Sequence, residues 1–110
     1  MSNKEQKPGD SQIINKVLFG DVVEIEVDTT AGGTIVVPEN PSRKGLYITN
    51  STSGGSQTAY LAFGVDPVSQ KTIALDPGGT FFMTAELLTT QEIKMITQVG
   101  NTDITYQEAT

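Results

Sequence analysis

Val23-Glu24-Ile25-Glu26-Val27-Asp28 sets an aliphatic residue against a carboxylate three times in succession. A period of two is the mark of a half-buried strand, because successive side chains leave the backbone on opposite faces. The three aliphatics then share a core-facing side and the three carboxylates a side in water. Outward in both directions the period remains two, and no stretch repeats apolar residues at i, i+3, i+4 and i+7 over three turns. The chain is predicted to be all-β.

Upstream, residues 13–19 are apolar on both faces, and Gly20-Asp21 separates them from the alternating strand. Downstream, a Thr- and Gly-rich loop at 29–33 leads to a short strand at 34–37 that Pro38 ends. Glu39-Asn40-Pro41-Ser42 turns the chain into a strand at 45–50, with Leu46 and Ile48 on one side. Residues 51–56, with Gly54-Gly55 at the tip, connect it to a strand at 58–63, and the economical reading is a hairpin. A short edge strand is expected at 71–75. Asp76-Pro77-Gly78-Gly79 is a turn, since proline presets φ and glycine accepts a positive one. A strand at 80–84 follows, and 85–91 fits a loop or a single helical turn. Residues 92–99 and 102–107 flank Gly100-Asn101, and glycine at the first central position suits a two-residue type II′ hairpin. That register sets Met95 opposite Tyr106 and Thr97 opposite Ile104. Ile93, Met95, Val99, Ile104 and Tyr106 then form one apolar face, with Lys94, Gln98, Asp103, Thr105 and Gln107 on the other and Ile96 its exception.

Eight or nine short strands at spacings near ten residues predict a small antiparallel β-sandwich of jelly-roll or immunoglobulin-like connectivity. At 110 residues there is room for one core. The sandwich is assigned to 13–110. Residues 1–12 have no aliphatic or aromatic side chain after Met1, and Pro8-Gly9-Asp10 breaks regular structure, so they are read as an extended arm. Twelve extended residues reach roughly 40 Å, far enough to meet a neighbouring chain.

Composition narrows the function. Seven cations against 13 acids leave a net charge of -6, so counterion release from nucleic-acid phosphate cannot drive binding. Cysteine and histidine are both absent, which removes thiol nucleophiles, disulfides, the common zinc sites and the usual neutral-pH general base. No apolar run approaches the length that spans a bilayer, and the polar N-terminus is unlike a signal peptide. No nucleic acid, membrane, cofactor or metal is expected as a partner, and no enzymatic activity. Glu24, Glu26 and Asp28 lie at spacings of about 7 Å along one face, within the range of a glycosidase pair, but strict alternation on an outer strand is the signature of a solvated face. The Gly-Gly-Thr and Gly-Gly-Ser triplets lack the lysine and spacing of a phosphate loop and are turn glycines. The abundant Ser and Thr suit extended protein contacts, because short hydroxyl side chains lose little rotamer entropy on burial.

Asn40-Pro41-Ser42-Arg43-Lys44-Gly45-Leu46-Tyr47-Ile48-Thr49-Asn50, then Ala59-Tyr60-Leu61-Ala62-Phe63-Gly64, Leu75-Asp76-Pro77-Gly78-Gly79-Thr80-Phe81 and the closing Gly100-Asn101-Thr102 together carry a resemblance. Over residues 34–107 the chain resembles the small β-sandwich virion proteins of tailed bacteriophages, most of all capsid decoration, or cement, proteins. The resemblance implies a non-enzymatic structural protein, made in the host cytoplasm, that binds the outer capsid surface of the virion and bridges neighbouring capsomers. Its partner would be the major capsid protein, and a homo-oligomer, favouring a trimer, is expected. The arm would be the clasp, with Lys4, Lys7 and Pro8 in contact and Ile13 and Ile14 at its root. Arg43 and Lys44 would be surface contacts to an acidic capsid. The alternatives are a module of the phage neck, tail or baseplate, and a carbohydrate-binding sandwich on a host-recognition fibre, for which Tyr47, Tyr60 and Tyr106 are the available aromatics.

Overall fold

The alternating stretch forms β1 (Val23–Val27), with Glu24 and Glu26 exposed and Val27 buried, in the computed structural model, which describes residues 18–53, 56–83 and 87–110. Seven further strands follow: β2 (Thr34–Val37), β3 (Gly45–Asn50), β4 (Ala59–Phe63), β5 (Ile73–Leu75), β6 (Thr80–Met83), β7 (Ile93–Thr97) and β8 (Thr102–Ala109). No helix occurs among the described residues, and 87–91 is irregular.

Two four-stranded antiparallel sheets result, in the orders β1-β8-β3-β6 and β2-β7-β4-β5. The pairs β1 with β8, β2 with β7, β3 with β6 and β4 with β5 are nested, as in one long hairpin folded at the β4–β5 loop and then rolled into two layers. This is jelly-roll connectivity, and it decides between the two sandwich topologies the sequence allows.

Among the described strands only β4 and β5 are consecutive in one sheet; every other connection between them crosses between layers. Two predicted hairpins are therefore corrected. β3 and β4 belong to opposite sheets, and so do β7 and β8. Met95 pairs with Leu61 and Thr34, whereas Tyr106 pairs with Val23 and Ile48. Gly100 does take the positive φ that was expected, but the loop uses it to pass across the end of the sandwich. Ile93, Met95, Ile104 and Tyr106 still share the core because each sheet turns its apolar face inward; Val99, beyond the end of β7, is 62% exposed.

The core lies between the layers and is made of Val27, Leu46, Ile48, Leu61, Ile93, Met95, Ile104 and their neighbours. A register shift between Ile35 and Val37 turns the consecutive Val36 and Val37 both inward. The Asp76–Gly79 turn closes with a 2.8 Å bond from the Gly79 N–H to the Asp76 carbonyl, with Gly78 at φ 84°, as the Pro-Gly pair predicts. Gly33, at φ 81°, is needed twice over, since a Cβ there would lie 2.6 Å from the Pro67 ring.

Crossovers leave carbonyls that no sheet can satisfy, and one buried side chain gathers them at each end. At one end Arg43, just before β3, donates to the carbonyls of Pro38, Thr89 and Gln91 and to the Glu108 carboxylate at 2.6 Å. At the other, the Asn50 amide donates to the carbonyls of Gln57 and Leu75 while its oxygen accepts from the Thr102 hydroxyl.

Candidate interaction face

The outer side of the β1-β8-β3-β6 sheet is built of rows that run across the strands. Outward-facing residues two apart lie about 7 Å apart along a strand, so each row is a step in chemistry.

The first row is aromatic. Tyr47 on β3 stands beside Phe82 on β6 and Gln107 on β8. Phe19 bridges to Ala109 at the end of β8, where small Gly45 and Ala109 leave its ring room to lie over the sheet. Phe19 and Tyr47 have ring centroids 6.0 Å apart, and Tyr47 and Phe82 5.9 Å, both tilted pairs in the favourable range. The Tyr47 hydroxyl donates to Gln107 Oε1, and Gln107 Nε2 donates to the Gly20 carbonyl at 2.9 Å, which ties the row together. Phe82 remains 66% exposed, and Leu18 and Val22 are also open to solvent.

The second row is hydroxylic. Thr80, Thr49 and Thr105 lie side by side with Glu24 at its end, and the Thr49 and Thr80 hydroxyls are 3.0 Å apart. The third is acidic, with Glu26 directly opposite Asp103 on neighbouring strands. Like charges placed so are destabilising by themselves. Among the described residues no lysine or arginine stands in these rows. Asp28, just past β1, accepts bonds from the Thr30 hydroxyl and N–H, which hold its carboxyl below the usual range.

The outer side of the other sheet differs. Lys94 on β7 donates to Asp66 at 2.5 Å, and this bond raises the ammonium above its ordinary value. Asp66 and Pro67 belong to the loop that packs on Gly33, and Ile35, opposite Lys94 on this face, is 49% exposed.

Glu24, Glu26 and Asp28 are exposed, as the alternation predicts. Arg43 is corrected. It is 2% exposed and its guanidinium donates to three carbonyls and Glu108, so it is a pin inside the sandwich rather than a surface contact. The reason is its geometry: a planar fork of donors can gather several acceptors at once, which a turn between two sheets provides. Lys44 is exposed. The expected arm contacts Lys4, Lys7, Pro8, Ile13 and Ile14 lie outside the described residues. The three tyrosines do not converge: Tyr106 faces the core, Tyr60 lies on the opposite sheet and only Tyr47 joins the aromatic row. Desolvation, reinforced by Glu108, pushes the Tyr106 phenol up.

A cleft of about 360 Å³ is lined by Glu39, Gly64, Gln91 and Glu92. Among the described residues no three His, Cys, Asp or Glu side chains cluster as a metal site would require. No family model matches the chain, and no curated protein matches it.

Phe82 and Phe19 were legible as aromatics, but the row was not. It needs β3 held between β6 and β8, and that neighbourhood comes from the roll, which alternation along one strand does not specify.

Proposed function

We propose that this protein is a capsid decoration protein: a non-enzymatic jelly-roll that binds the outer surface of the mature head of a tailed phage, bridges neighbouring capsomers and stabilises the shell. The observation that carries this reading is the graded outer face of the β1-β8-β3-β6 sheet. An exposed aromatic row, with an unpaired acidic row beyond the hydroxylic one, is a poor surface for a solitary protein and a suitable one for protein contact. The turn-and-strand resemblance to phage virion sandwiches supplies the partner, the major capsid protein. An acidic body without cysteine or histidine fits a binding role better than catalysis.

The mechanism is linkage. A protein that binds the expanded lattice and not the compact procapsid stabilises the expanded state by mass action. Several modest contacts per oligomer add through effective concentration.

Co-sedimentation with expanded heads and with unexpanded procapsids tests the proposal. Saturable binding of many copies to expanded heads alone is the expected result. Absence of binding to either overturns it, and low-copy binding at a neck or tail would replace the head with that attachment point.

A further inference from the structure

We infer that the free edge of β1 is a strand-addition site for a partner of one chemistry: an extended segment that alternates basic and aliphatic residues and pairs antiparallel with Val23–Val27. This rests on the reading of the protein as a binding module and names what its partner offers. The added strand lies beside the graded face and leaves its rows open.

The hydrogen-bond register shows which groups are on offer. The Ser51 N–H donates to the Asp103 carbonyl at 2.9 Å, in register with the pairing that sets Asn50 opposite Ile104 and Thr49 opposite Thr105. In an antiparallel ladder alternate residues bond to opposite neighbours. Asp103, Thr105 and Gln107 therefore bond toward β3, and Thr102, Ile104 and Tyr106 toward β1, where they meet Val27, Ile25 and Val23. The N–H and C=O groups of Glu24 and Glu26 are left aimed away from the sheet, and among the described residues no strand pairs with that edge. The other edges are blunted. β2 is interrupted by the register shift between Ile35 and Val37 and stops at Pro38, while β5 and β6 have three and four residues. β1 keeps an unbroken register over five residues, without proline or lysine.

Side chains select the occupant. Residues placed opposite Glu24 and Glu26 stand on the outer side beside two exposed carboxylates, with Asp103 across from Glu26 on the far side. Cations there complement a row that has none of its own among the described residues. Between them, the residue opposite Ile25 points inward. Val23 and Ile25 are only half-buried against the core, and an aliphatic at that place covers them. A second copy of β1 is a poor occupant. Antiparallel pairing must set outward-bonding residues against one another, so β1 on β1 places carboxylate opposite carboxylate. Strand addition of this kind draws affinity from main-chain bonds and specificity from alternate side chains.

The test uses the full chain and a capped peptide in which lysine and valine alternate. Calorimetric titration should show saturable binding that weakens with added salt, and hydrogen exchange at the Glu24 and Glu26 amides should slow at least ~10-fold at saturation. Glu24→Gln combined with Glu26→Gln, at exposed positions, should keep the circular-dichroism spectrum and weaken peptide binding at least ~10-fold. Methylating the peptide's lysine amides keeps the charge and removes the donors facing β1, and should weaken binding as much; methylating its valine amides should not. No saturable binding overturns the inference. So does a lysine-methylated peptide that binds like its parent, which reduces the contact to charge attraction, or a double variant that binds the parent peptide unchanged, which removes the carboxylates from it. Failure of the peptide with shell binding intact leaves the proposed function standing, whereas pairing with the peptide and no binding to shells removes that function and leaves this inference.

Discussion

At one end of the sandwich the crossover carbonyls meet a charge, Arg43, held by Glu108; at the other they meet a neutral amide, Asn50, held by Thr102. Both side chains are buried and both join segments distant in sequence. Arg43 links the β2–β3 and β6–β7 connections to the end of β8, and Asn50 links the β3–β4 loop and the end of β5 to the start of β8. The two differ in the consequence of removal. A missing guanidinium strands a carboxylate and three carbonyls, whereas a missing amide strands only dipoles.

The largest expected effect breaks the charged end. Arg43→Met should cost about 3–5 kcal/mol in urea denaturation, because the Glu108 carboxylate loses its partner. Adding Glu108→Met should recover part of that loss. A double variant no more stable than the single would show that the pair contributes through its carbonyl bonds alone. Asn50→Ala should cost about 2–3 kcal/mol, since the Gln57 and Leu75 carbonyls and the Thr102 hydroxyl are left without it. Thr102→Val, which removes one of those bonds, should cost about 1 kcal/mol in the same assay.

Proton linkage sharpens the comparison further. Tyr106 has its phenol pushed up by desolvation and by Glu108, at the Arg43 end. A raised pKa in the folded state means stability that is complete below the ordinary phenol value and lost as pH rises through the folded one. Thermal melts should therefore fall above a pH of about 10, and Tyr106→Phe should flatten part of that decline. Lys94, raised by Asp66 on the outer face of the other sheet, should contribute in the same direction. The smallest effect belongs to the Asn50 end. Asp28 is held below the usual carboxylate range by Thr30, so its contribution is present at neutral pH and disappears as pH falls through the folded value. Asp28→Asn should remove only that acid limb from the melting profile.

Local grammar was readable to within a residue or two at most strands. The alternation at 23–28, the Pro38 stop, the Pro77-Gly78 turn and the edge position of β5 follow from backbone rules that act over a few residues. Partner choice was not readable. Gly100-Asn101 satisfies the local rule for a tight hairpin, yet β7 finds β2 and β4 while β8 finds β1 and β3, because burying both sheets' apolar faces outweighs one short turn. Arg43 was misjudged for the same reason: a cation between Asn-Pro and a strand reads as a solvated turn until the roll brings Pro38, Thr89, Gln91 and Glu108 around it. The aromatic row shares that origin, as Phe19, Tyr47 and Phe82 come from three separate segments.

β8 lies at the centre of its sheet, between β1 and β3, and it is the last strand of the described chain. Val23 must wait for Tyr106, and Ile48 for the same residue from the other side. On the ribosome, β1, β3 and β6 are made without the strand that joins β1 to β3. Their inward aliphatics therefore stay uncovered until Ala109 emerges, and such long-range closure is slow. Folding of this sandwich therefore waits for β8, and the chain is most exposed to aggregation just before that strand is available.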